Sequence, residues 1–200
     1  MIGKNLRHAL SIWVTKAKVA ARFDVLLEPA VVIKHPERLS FGKKCTLQAG
    51  SYVYGSRSGA DVSFGDWVVI AAGAMVLGEG GVRVGDGTHL GPHVVVTSQY
   101  GDGRGERVTD APTVLTRPIV IGRGCWIGSG AVIMPGVILG DRCTVAPGSV
   151  VYGRFPDDTT LSGNPARPLR RVTRAATASA EVTAESQGAT TRLRPACLAR

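Results

Sequence analysis

Aliphatic residues recur at every sixth position in the segment 119–151 of this chain. They stand at Ile121, Ile127, Ile133, Leu139, Val145 and Val151. Four places after each of the first five comes a small or slim residue, namely Cys125, Ala131, Val137, Cys143 and Ser149. Neither the 3.6-residue period of a helix nor the two-residue period of an ordinary strand fits this spacing. A period of six is typical of hexapeptide β-helices, so the pattern predicts an all-β fold of short parallel strands around a narrow interior.

The same period extends towards the N-terminus with interruptions. It begins irregularly near residue 25 and is broken by the insertion Gly55–Asp61, which we expect to be a surface loop, and again by two extra residues at Glu79–Gly81. Residues 97–118 leave the period entirely. A long glycine-rich loop inside a regular domain is more often functional than accidental. After Val151 the period is expected to end.

Stacking every third repeat predicts which side chains share one side of the coil. Phe64, Val84, Ile121 and Leu139 are expected to open one side, and Ile70, Leu90, Ile127 and Val145 to open the next. On that second side the outward column would be Met75, Val95, Val132 and Val150. Monomers seldom expose so large an apolar patch, so the column predicts a subunit interface. On the first side, Trp126 is expected to stack above His89, with Trp67 one coil lower.

The two ends of the chain differ from the coil. Residues 1–22 predict an N-terminal amphipathic helix, and its apolar stretches are too short and too broken by lysines for a signal peptide or a membrane span. Packing on the end of the β-domain is favoured over contact with a membrane surface. Residues 172–200 are rich in Ala, Thr, Ser and Glu without an apolar period, which predicts a disordered basic tail. The β-domain therefore occupies residues 23–171.

Charge and cysteine content narrow the possible partners. The net charge is +9, yet seven arginines and only two glutamates follow residue 166. The core has no aromatic and basic interleaving, so nucleic acid is not predicted as a partner, whereas a phosphate-bearing cofactor or an acidic glycan would account for the charge. Cys45, Cys125 and Cys143 occupy the small interior position and are expected to be inert buried thiols, with Cys197 exposed in the tail. No disulfide framework is predicted, which favours the cytoplasm.

Two segments carry a resemblance to a known family. The run from Ile121 to Val137, and Gly163-Asn-Pro-Ala-Arg167 after it, resemble the hexapeptide-repeat acyltransferases, most of all the sugar and galactoside O-acetyltransferase branch. The resemblance covers roughly residues 23–171. It implies a left-handed coil, a homotrimer, and transfer of an acetyl group from acetyl-CoA to a hydroxyl or amine of a sugar or other small polar acceptor. It also implies that loop 97–118 helps to cover the active site of a neighbouring subunit.

The resemblance assigns a cofactor groove to particular residues. Trp126 and Ser129 match the stretch that lines the pantetheine groove in relatives, and Pro147 and Tyr152 stand where relatives have Ala and Thr. The CoA phosphates are expected to bind the arginines that follow, Arg167, Arg170 and Arg171, through charge-assisted hydrogen bonds. No metal ligand set is predicted.

The catalytic base departs from the family pattern. Relatives place a histidine in the loop after the coil that begins here at Val96, but this chain has Gln99 there and no histidine in 97–200. A neutral amide does not accept a proton, so His93, in the coil before the loop, is the predicted substitute base. Asp102 and Glu106 in the loop are alternatives. An amine acceptor would need no dedicated base, because a neutral amine is already nucleophilic.

Two other function classes stay open from the sequence. A binding or scaffold protein could retain the coil and lose turnover, and the missing loop histidine favours that interpretation. A hydratase of the γ-carbonic-anhydrase type would need three zinc-binding histidines. His89 and His93 are four apart and are expected to project from different sides of the coil, which disfavours the hydratase.

Overall fold

Short parallel strands wind around a three-sided prism of about six coils in the computed structural model, which describes residues 17–101 and 114–169. Each side of the prism is one sheet, and we call the three sheets A, B and C. Sheet A contains β1 (Val25–Leu27), β4 (Cys45–Leu47), β7 (Val69–Ile70), β10 (His89–Leu90), β15 (Trp126–Ile127), β18 (Thr144–Val145), β21 (Thr160–Gly163) and the antiparallel β22 (Ala166–Pro168).

The other two sheets have six strands each. Sheet B contains β2 (Val32–Lys34), β5 (Tyr52–Tyr54), β8 (Met75–Leu77), β11 (Val95–Thr97), β16 (Val132–Ile133) and β19 (Val150–Val151). Sheet C contains β3 (Leu39–Phe41), β6 (Val62–Phe64), β9 (Val82–Val84), β14 (Ile119–Ile121), β17 (Ile138–Leu139) and β20 (Arg154–Phe155). A short 3₁₀ turn at Pro36–Arg38 precedes β3. The predicted parallel β-helix is confirmed.

Inward-facing residues stack in the predicted columns. Phe64, Val84, Ile121 and Leu139 pair in register through sheet C, and Ile70, Leu90, Ile127 and Val145 do so through sheet A. All eight are at most 3% exposed. Each such side chain gains roughly 1.5–3 kcal/mol from leaving water, so a strict six-residue repeat of large apolar residues stabilises every coil by the same means.

The outward columns lie one side further along than predicted. Met75, Val95, Val132 and Val150 do form a column, but they belong to sheet B. His89 and Trp126 pair in sheet A, beside Leu90 and Ile127. The reason is that each of the large inward residues used in the prediction is the last residue of its strand, and a two-residue turn lies between it and the residue five places later. That later residue therefore already belongs to the strand on the next side.

The coil also continues beyond Val151, where the sequence pattern predicted its end. Phe155 pairs with Leu139 in sheet C, and Leu161 pairs with Val145 in sheet A. Leu161 is fully buried. The period is hidden because the inward residues Val151 and Phe155 are only four residues apart, two fewer than in the regular repeat, although the interior beneath them is the same.

The two interruptions of the period are more ordered than simple surface loops. The carboxylate of Glu79 accepts hydrogen bonds from the backbone N–H groups of Arg57 and Ser58, at 3.2 and 3.1 Å. Ser56 and Glu79 are themselves buried, which corrects the expectation of a wholly exposed insertion. Loop 97–118 begins and ends in an antiparallel hairpin of β12 (Gln99–Gly101) and β13 (Val114–Thr116), and residues 102–113 lie outside the described part of the chain.

Only part of each predicted end can be compared with the structure. Residues 17–22 are helical, and Val19 of this turn is 3% exposed and packs in the core near Phe23. This agrees with a helix packed on the end of the β-domain. The rest of the predicted helix and the predicted tail fall on residues that the structure does not describe. Among the described residues, none of the helical segments has the length and hydropathy needed to span a membrane.

The cysteines of the coil occupy the small interior position, as predicted. Cys45, Cys125 and Cys143 are free and at most 1% exposed. Burial raises the pKa of all three thiols, that of Cys125 to about 11. A thiol with a raised pKa is a poor nucleophile, so these cysteines pack the interior and are unsuited to catalysis. Cys197 lies outside the described residues.

Candidate functional site

Three of the residues predicted for the site stack along one edge of the prism. We call the edge between sheets A and B the A–B corner, and it contains His93, Ser129 and Pro147 in successive coils. Backbone hydrogen bonds join these coils, from Gly130 N to Pro92 O at 2.9 Å and from Gly148 N to Ser129 O at 2.9 Å. Because neighbouring strands lie about 4.8 Å apart, residues distant in sequence become one continuous edge.

His93 occupies a backbone conformation that the same corner otherwise assigns to small residues. Its φ is +56°, and the equivalent turn positions hold Gly50, Gly73, Gly130 and Gly148, with Ala30 at the first coil. The left-handed conformation costs a residue with a Cβ about 1–2 kcal/mol. The imidazole lies directly over Gly73, where an added Cβ would stand 2.5 Å from Nδ1. An exposed histidine kept in a strained position is a candidate functional residue.

Trp126 lies on the outer face of sheet A, three residues before Ser129 in the same coil. Its indole is 57% exposed and stacks on the imidazole of His89, with ring centroids 4.4 Å apart and planes within 8° of parallel. The stack predicted from the sequence is therefore confirmed. Burial lowers the pKa of His89. Trp67 stands apart from the stack. It is exposed at the edge between sheets C and A, which we call the C–A corner, and its φ is +59°.

Arg167 lies at the far end of sheet A. It belongs to β22, which pairs antiparallel with β21 so that Arg167 faces Ser162. Its Nη1 donates to the carbonyl of Ala166 at 3.1 Å, and the side chain is exposed. Three strand spacings separate β22 from Trp126, roughly 14 Å at about 4.8 Å each. Arg170 and Arg171, the other two arginines predicted to bind the cofactor phosphates, lie outside the described residues.

The edge between sheets B and C, the B–C corner, contains the hairpin and a cleft. The cleft has a volume of about 390 Å³ and is lined by Tyr100, Arg117, Met134, Pro135 and Tyr152. The Arg117 stem crosses Gly136, where an added Cβ would stand 3.2 Å from Cδ. Sequence reasoning missed Tyr100 and Arg117. The available signal was the Arg-Pro pair at 117–118, where the chain returns to the six-residue period.

His93 and the hairpin lie at different corners of one chain. Strand β11 separates them, and six residues from His93 to Gln99 correspond to roughly 20 Å of extended chain. Gln99 is half-buried, and its carbonyl accepts a hydrogen bond from Thr97 Oγ1 at 2.7 Å. The alternative bases Asp102 and Glu106 lie outside the described residues. A single chain therefore does not bring His93 to the position of the missing loop histidine.

A metal centre would need several ligand side chains close together. Within 17–101 and 114–169, no three His, Cys, Asp or Glu side chains converge as metal ligands. His89 is engaged by Trp126 on the face of sheet A, and His93 lies at the corner.

The sequence is similar to known acyltransferases over part of its length. The family "Bacterial transferase hexapeptide (six repeats)" matches residues 118–153. Nodulation protein L of Rhizobium leguminosarum bv. viciae is 41% identical over 110 residues, which are 54% of this chain and 57% of that protein. Galactoside O-acetyltransferase of Escherichia coli (strain K12) is 33% identical over 91 residues, 46% of this chain and 44% of that enzyme. The chain thus matches about half the length of these relatives.

Solved structures share the fold. A variant of AntD, an N-acyltransferase from Bacillus cereus solved with dTDP and coenzyme A, has a TM-score of 0.66 at 20% identity and covers 78% of this chain and 87% of AntD. PerB from Caulobacter crescentus, solved with CoA and GDP-perosamine, has a TM-score of 0.55 at 24% identity and covers 72% and 57%. With the sequence matches, these likenesses confirm the resemblance to hexapeptide-repeat acyltransferases.

Proposed function

We propose that this protein is an acyl-CoA-dependent acyltransferase that acylates a hydroxyl or an amine of a sugar or similar small polar acceptor. The observation that carries this proposal is the column of His93, Ser129 and Pro147 along the A–B corner, beside the exposed indole of Trp126. Three of these four residues lie within the segment that matches the bacterial transferase hexapeptide family. The galactoside O-acetyltransferase relative supports the reaction class.

The proposed co-substrate is acetyl-CoA. Its pantetheine arm would lie along Trp126, Ser129 and Pro147, since these residues form a continuous edge of apolar and small polar groups. Its phosphates would bind Arg167 and Arg170, because guanidinium groups match phosphate oxygens in charge and geometry. The three free, buried thiols of the coil support placing the reaction in the cytoplasm, where cysteines stay reduced.

The proposed active unit is a homotrimer with sheet B facing the threefold axis. The outward column of sheet B is apolar through all six coils, from Val32 and Tyr52 through Met75 to the three valines 95, 132 and 150. If three prisms turn the same face inward, the A–B corner of each meets the B–C corner of the next. His93 of one subunit would then face the hairpin and the cleft of its neighbour, which a single chain keeps apart.

In this arrangement His93 is the proposed general base for a hydroxyl acceptor. Its imidazole would accept the hydroxyl proton as the acceptor oxygen attacks the thioester carbonyl carbon. The tetrahedral adduct would then expel the CoA thiolate, which takes the proton from the imidazolium. For an amine acceptor the neutral nitrogen attacks without a base, and the expelled CoA thiolate takes the proton that the nitrogen loses. Asp102 and Glu106 remain alternative bases for the hydroxyl reaction.

Thiol release from acetyl-CoA, measured with a panel of neutral and amino sugars, tests this proposal. For a neutral sugar, His93→Ala should lower kcat by about 10²–10⁴-fold, while His35→Ala, a matched loss of a histidine outside the site, should leave it unchanged. For an amino sugar, His93→Ala should cost far less, and turnover should rise with pH as the amine deprotonates. Turnover of a neutral sugar that survives His93→Ala would remove His93 from the site.

Two further outcomes would replace the proposal itself. Absence of thiol release with every acceptor, together with no rise in melting temperature at high CoA, would favour a scaffold, because a ligand that binds only the folded state must stabilise it. Stoichiometric zinc with CO₂ hydration would favour the hydratase.

A further inference from the structure

His89 has no part in the proposed chemistry, yet it is the ring on which Trp126 rests. The two residues pair in register on adjacent strands, and their rings stack at 4.4 Å with 8° between the planes. This separation is close to the spacing of the coils themselves. The imidazole therefore lies flat beneath the indole along the direction in which the coils stack.

The opposite face of the indole is open. On the next coil Trp126 pairs with Thr144, and on the coil after that Thr144 pairs with Thr160. Both threonines are exposed and small. A shallow path of small side chains thus runs along sheet A from the upper face of the indole towards β22, which carries Arg167. Among the described residues, the aromatic ring that stacks on Trp126 is that of His89, on its lower face.

We infer that His89 is a positioning residue that fixes the orientation of Trp126 for the acyl-CoA arm. The inference rests on the proposed function, since it is the cofactor that would pack on the open face of the indole. A flat ring at position 89 is what the geometry requires. Parallel aromatic pairs gain energy from contact between their faces, and an aliphatic side chain of similar length offers no such face.

The imidazole is neutral in this stack at physiological pH. Burial lowers the pKa of His89, and the strands on either side present Val69 below and Trp126 above. No charged side chain faces His89 from these described strands. Protonation below its ordinary pKa of about 6.5 therefore introduces a charge directly beneath the indole, which gives the stack a spectroscopic signature of its own.

The test uses the full chain with Trp13→Phe and Trp67→Phe, which leaves Trp126 as the single remaining tryptophan of the three. In this parent the fluorescence of Trp126 should change on acidification with a midpoint below about 6.5. That transition should be lost in both His89→Phe and His89→Ala. Trp126 anisotropy should fall in His89→Ala and be retained in His89→Phe.

Kinetics then separate positioning from simple stability. His89→Ala should raise KM for acetyl-CoA by about 2- to 10-fold, the range that corresponds to one aromatic pair, while kcat changes less than twofold. His89→Phe should restore KM, and Thr46→Ala, on the same face two coils below, should leave it unchanged. An unchanged KM in His89→Ala, or no recovery in His89→Phe, would overturn the inference.

The two proposals fail in distinguishable ways. If the parent lacks acyl transfer altogether, the proposed function fails, and the fluorescence titration still reports whether His89 holds the indole. If the parent is active and Trp126 anisotropy is the same in all variants, the acyltransferase stands and the positioning role of His89 is wrong.

Discussion

The outer faces of sheets B and C differ although their inner faces are built alike. Both line the same core with stacked apolar residues, which are buried in every coil of sheet B and in all but the last coil of sheet C, where Phe155 is half-buried. Outside, sheet B presents an unbroken apolar column through Tyr52, Met75 and Val95. Sheet C presents the register Ser40, Ser63, Arg83, Val120, Ile138 and Arg154. The interior repeat therefore makes the coil, and the outward positions decide which side is covered.

The corners of the prism also differ from one another in the side chains that they carry. At the C–A corner, aspartates bond to the coil below: Asp66 Oδ1 accepts from Lys43 N at 2.7 Å, and Asp141 Oδ1 accepts from Arg123 N at 2.8 Å. These polar side chains at the C–A corner are hydrogen-bonded to the neighbouring coil and so hold the coils together.

At the A–B corner only the two lowest of the described coils do the same, because Glu28 Oε2 accepts from Ala49 N at 2.9 Å and Gln48 Oε1 accepts from Ala72 N at 3.2 Å. In the three coils after that of Ala72, the two residues at the tip of each turn are Pro92 and His93, Ser129 and Gly130, and Pro147 and Gly148. This upper part of the A–B corner leaves its side chains available to a ligand.

A charged residue introduced on the outer face of sheet B should have the largest effect of the predicted changes, and the effect is on trimer assembly. Val95→Lys would place three lysines around the proposed threefold axis, where an unpaired buried charge costs several kcal/mol, so the trimer should dissociate at micromolar concentration. Val120→Lys is the matched change on the outer face of sheet C, and it should leave the trimer intact. Sedimentation velocity distinguishes these results. A monomeric wild type, or equal behaviour of the two variants, would contradict the assignment of sheet B as the interface.

Substitutions at Gly73 and His93 should have the next largest effect, which is on the stability of the fold. Gly73→Ala adds a Cβ at φ of +66° and 2.5 Å from the His93 ring, so it should destabilise the fold by about 1–2 kcal/mol. His93→Gly restores the residue type of the neighbouring turns and should leave the free energy of unfolding unchanged or raise it by up to about 1 kcal/mol, while acyl transfer to a hydroxyl is lost. Thermal and urea unfolding measure both changes. A destabilised His93→Gly variant would mean that the imidazole is structural.

Two buried serines give a smaller and internally controlled contrast. Ser149 and Ser51 are at most 1% exposed. The Ser149 hydroxyl accepts a hydrogen bond from Gly163 N at 3.1 Å, whereas Ser51 Oγ has no hydrogen-bond partner within residues 17–101 and 114–169. Ser149→Ala should therefore cost about 1 kcal/mol and Ser51→Ala should be neutral or stabilising. Urea unfolding that ranked the two variants in the opposite order would show that Ser51 has a partner in the assembled protein.

What the sequence predicted, and what it did not, follows the same division between inside and outside. The inward columns through Ile121 and Ile127 were predictable because one narrow interior must be filled at a fixed period. The outward columns were placed one side too early, because the period of six does not reveal where the turn falls. The coil beyond Val151 was missed because the turn to Phe155 is two residues shorter than the regular repeat.

The candidate site was predictable only in part. Trp126, Ser129 and Pro147 lie within the repeat, so their stacking followed from the period and the resemblance. The cleft beside Tyr100 and Arg117 depends on a hairpin that breaks the period, and no spacing rule brings its two strands together. His93 and the hairpin lie at separate corners, and this too can be seen only once the coil is folded into a three-sided prism.

The smallest expected effect concerns the C–A corner and its response to acid. The backbone N–H and the guanidinium of Arg123 hold the pKa of Asp141 below its ordinary value. The unfolded chain therefore binds this proton more readily than the folded chain. The resulting stabilisation is present above the ordinary pKa of about 3.9 and is lost as the pH falls through the lower, folded-state pKa.

Asp141→Asn should accordingly flatten the fall of melting temperature between about pH 5 and pH 2. At pH 7 it should lower the melting temperature slightly, because the amide oxygen still accepts the Arg123 N–H and only the ionic part is lost. Asp61→Asn is the control, since that carboxylate is 82% exposed and lies 3.6 Å from Arg38 on the outside of the coil. Its acid profile should follow that of the wild type. If both variants changed the pH dependence of the melting temperature equally, the aspartates of the C–A corner would act in acid only through net charge. The C–A and A–B corners would then differ only in their hydrogen bonds.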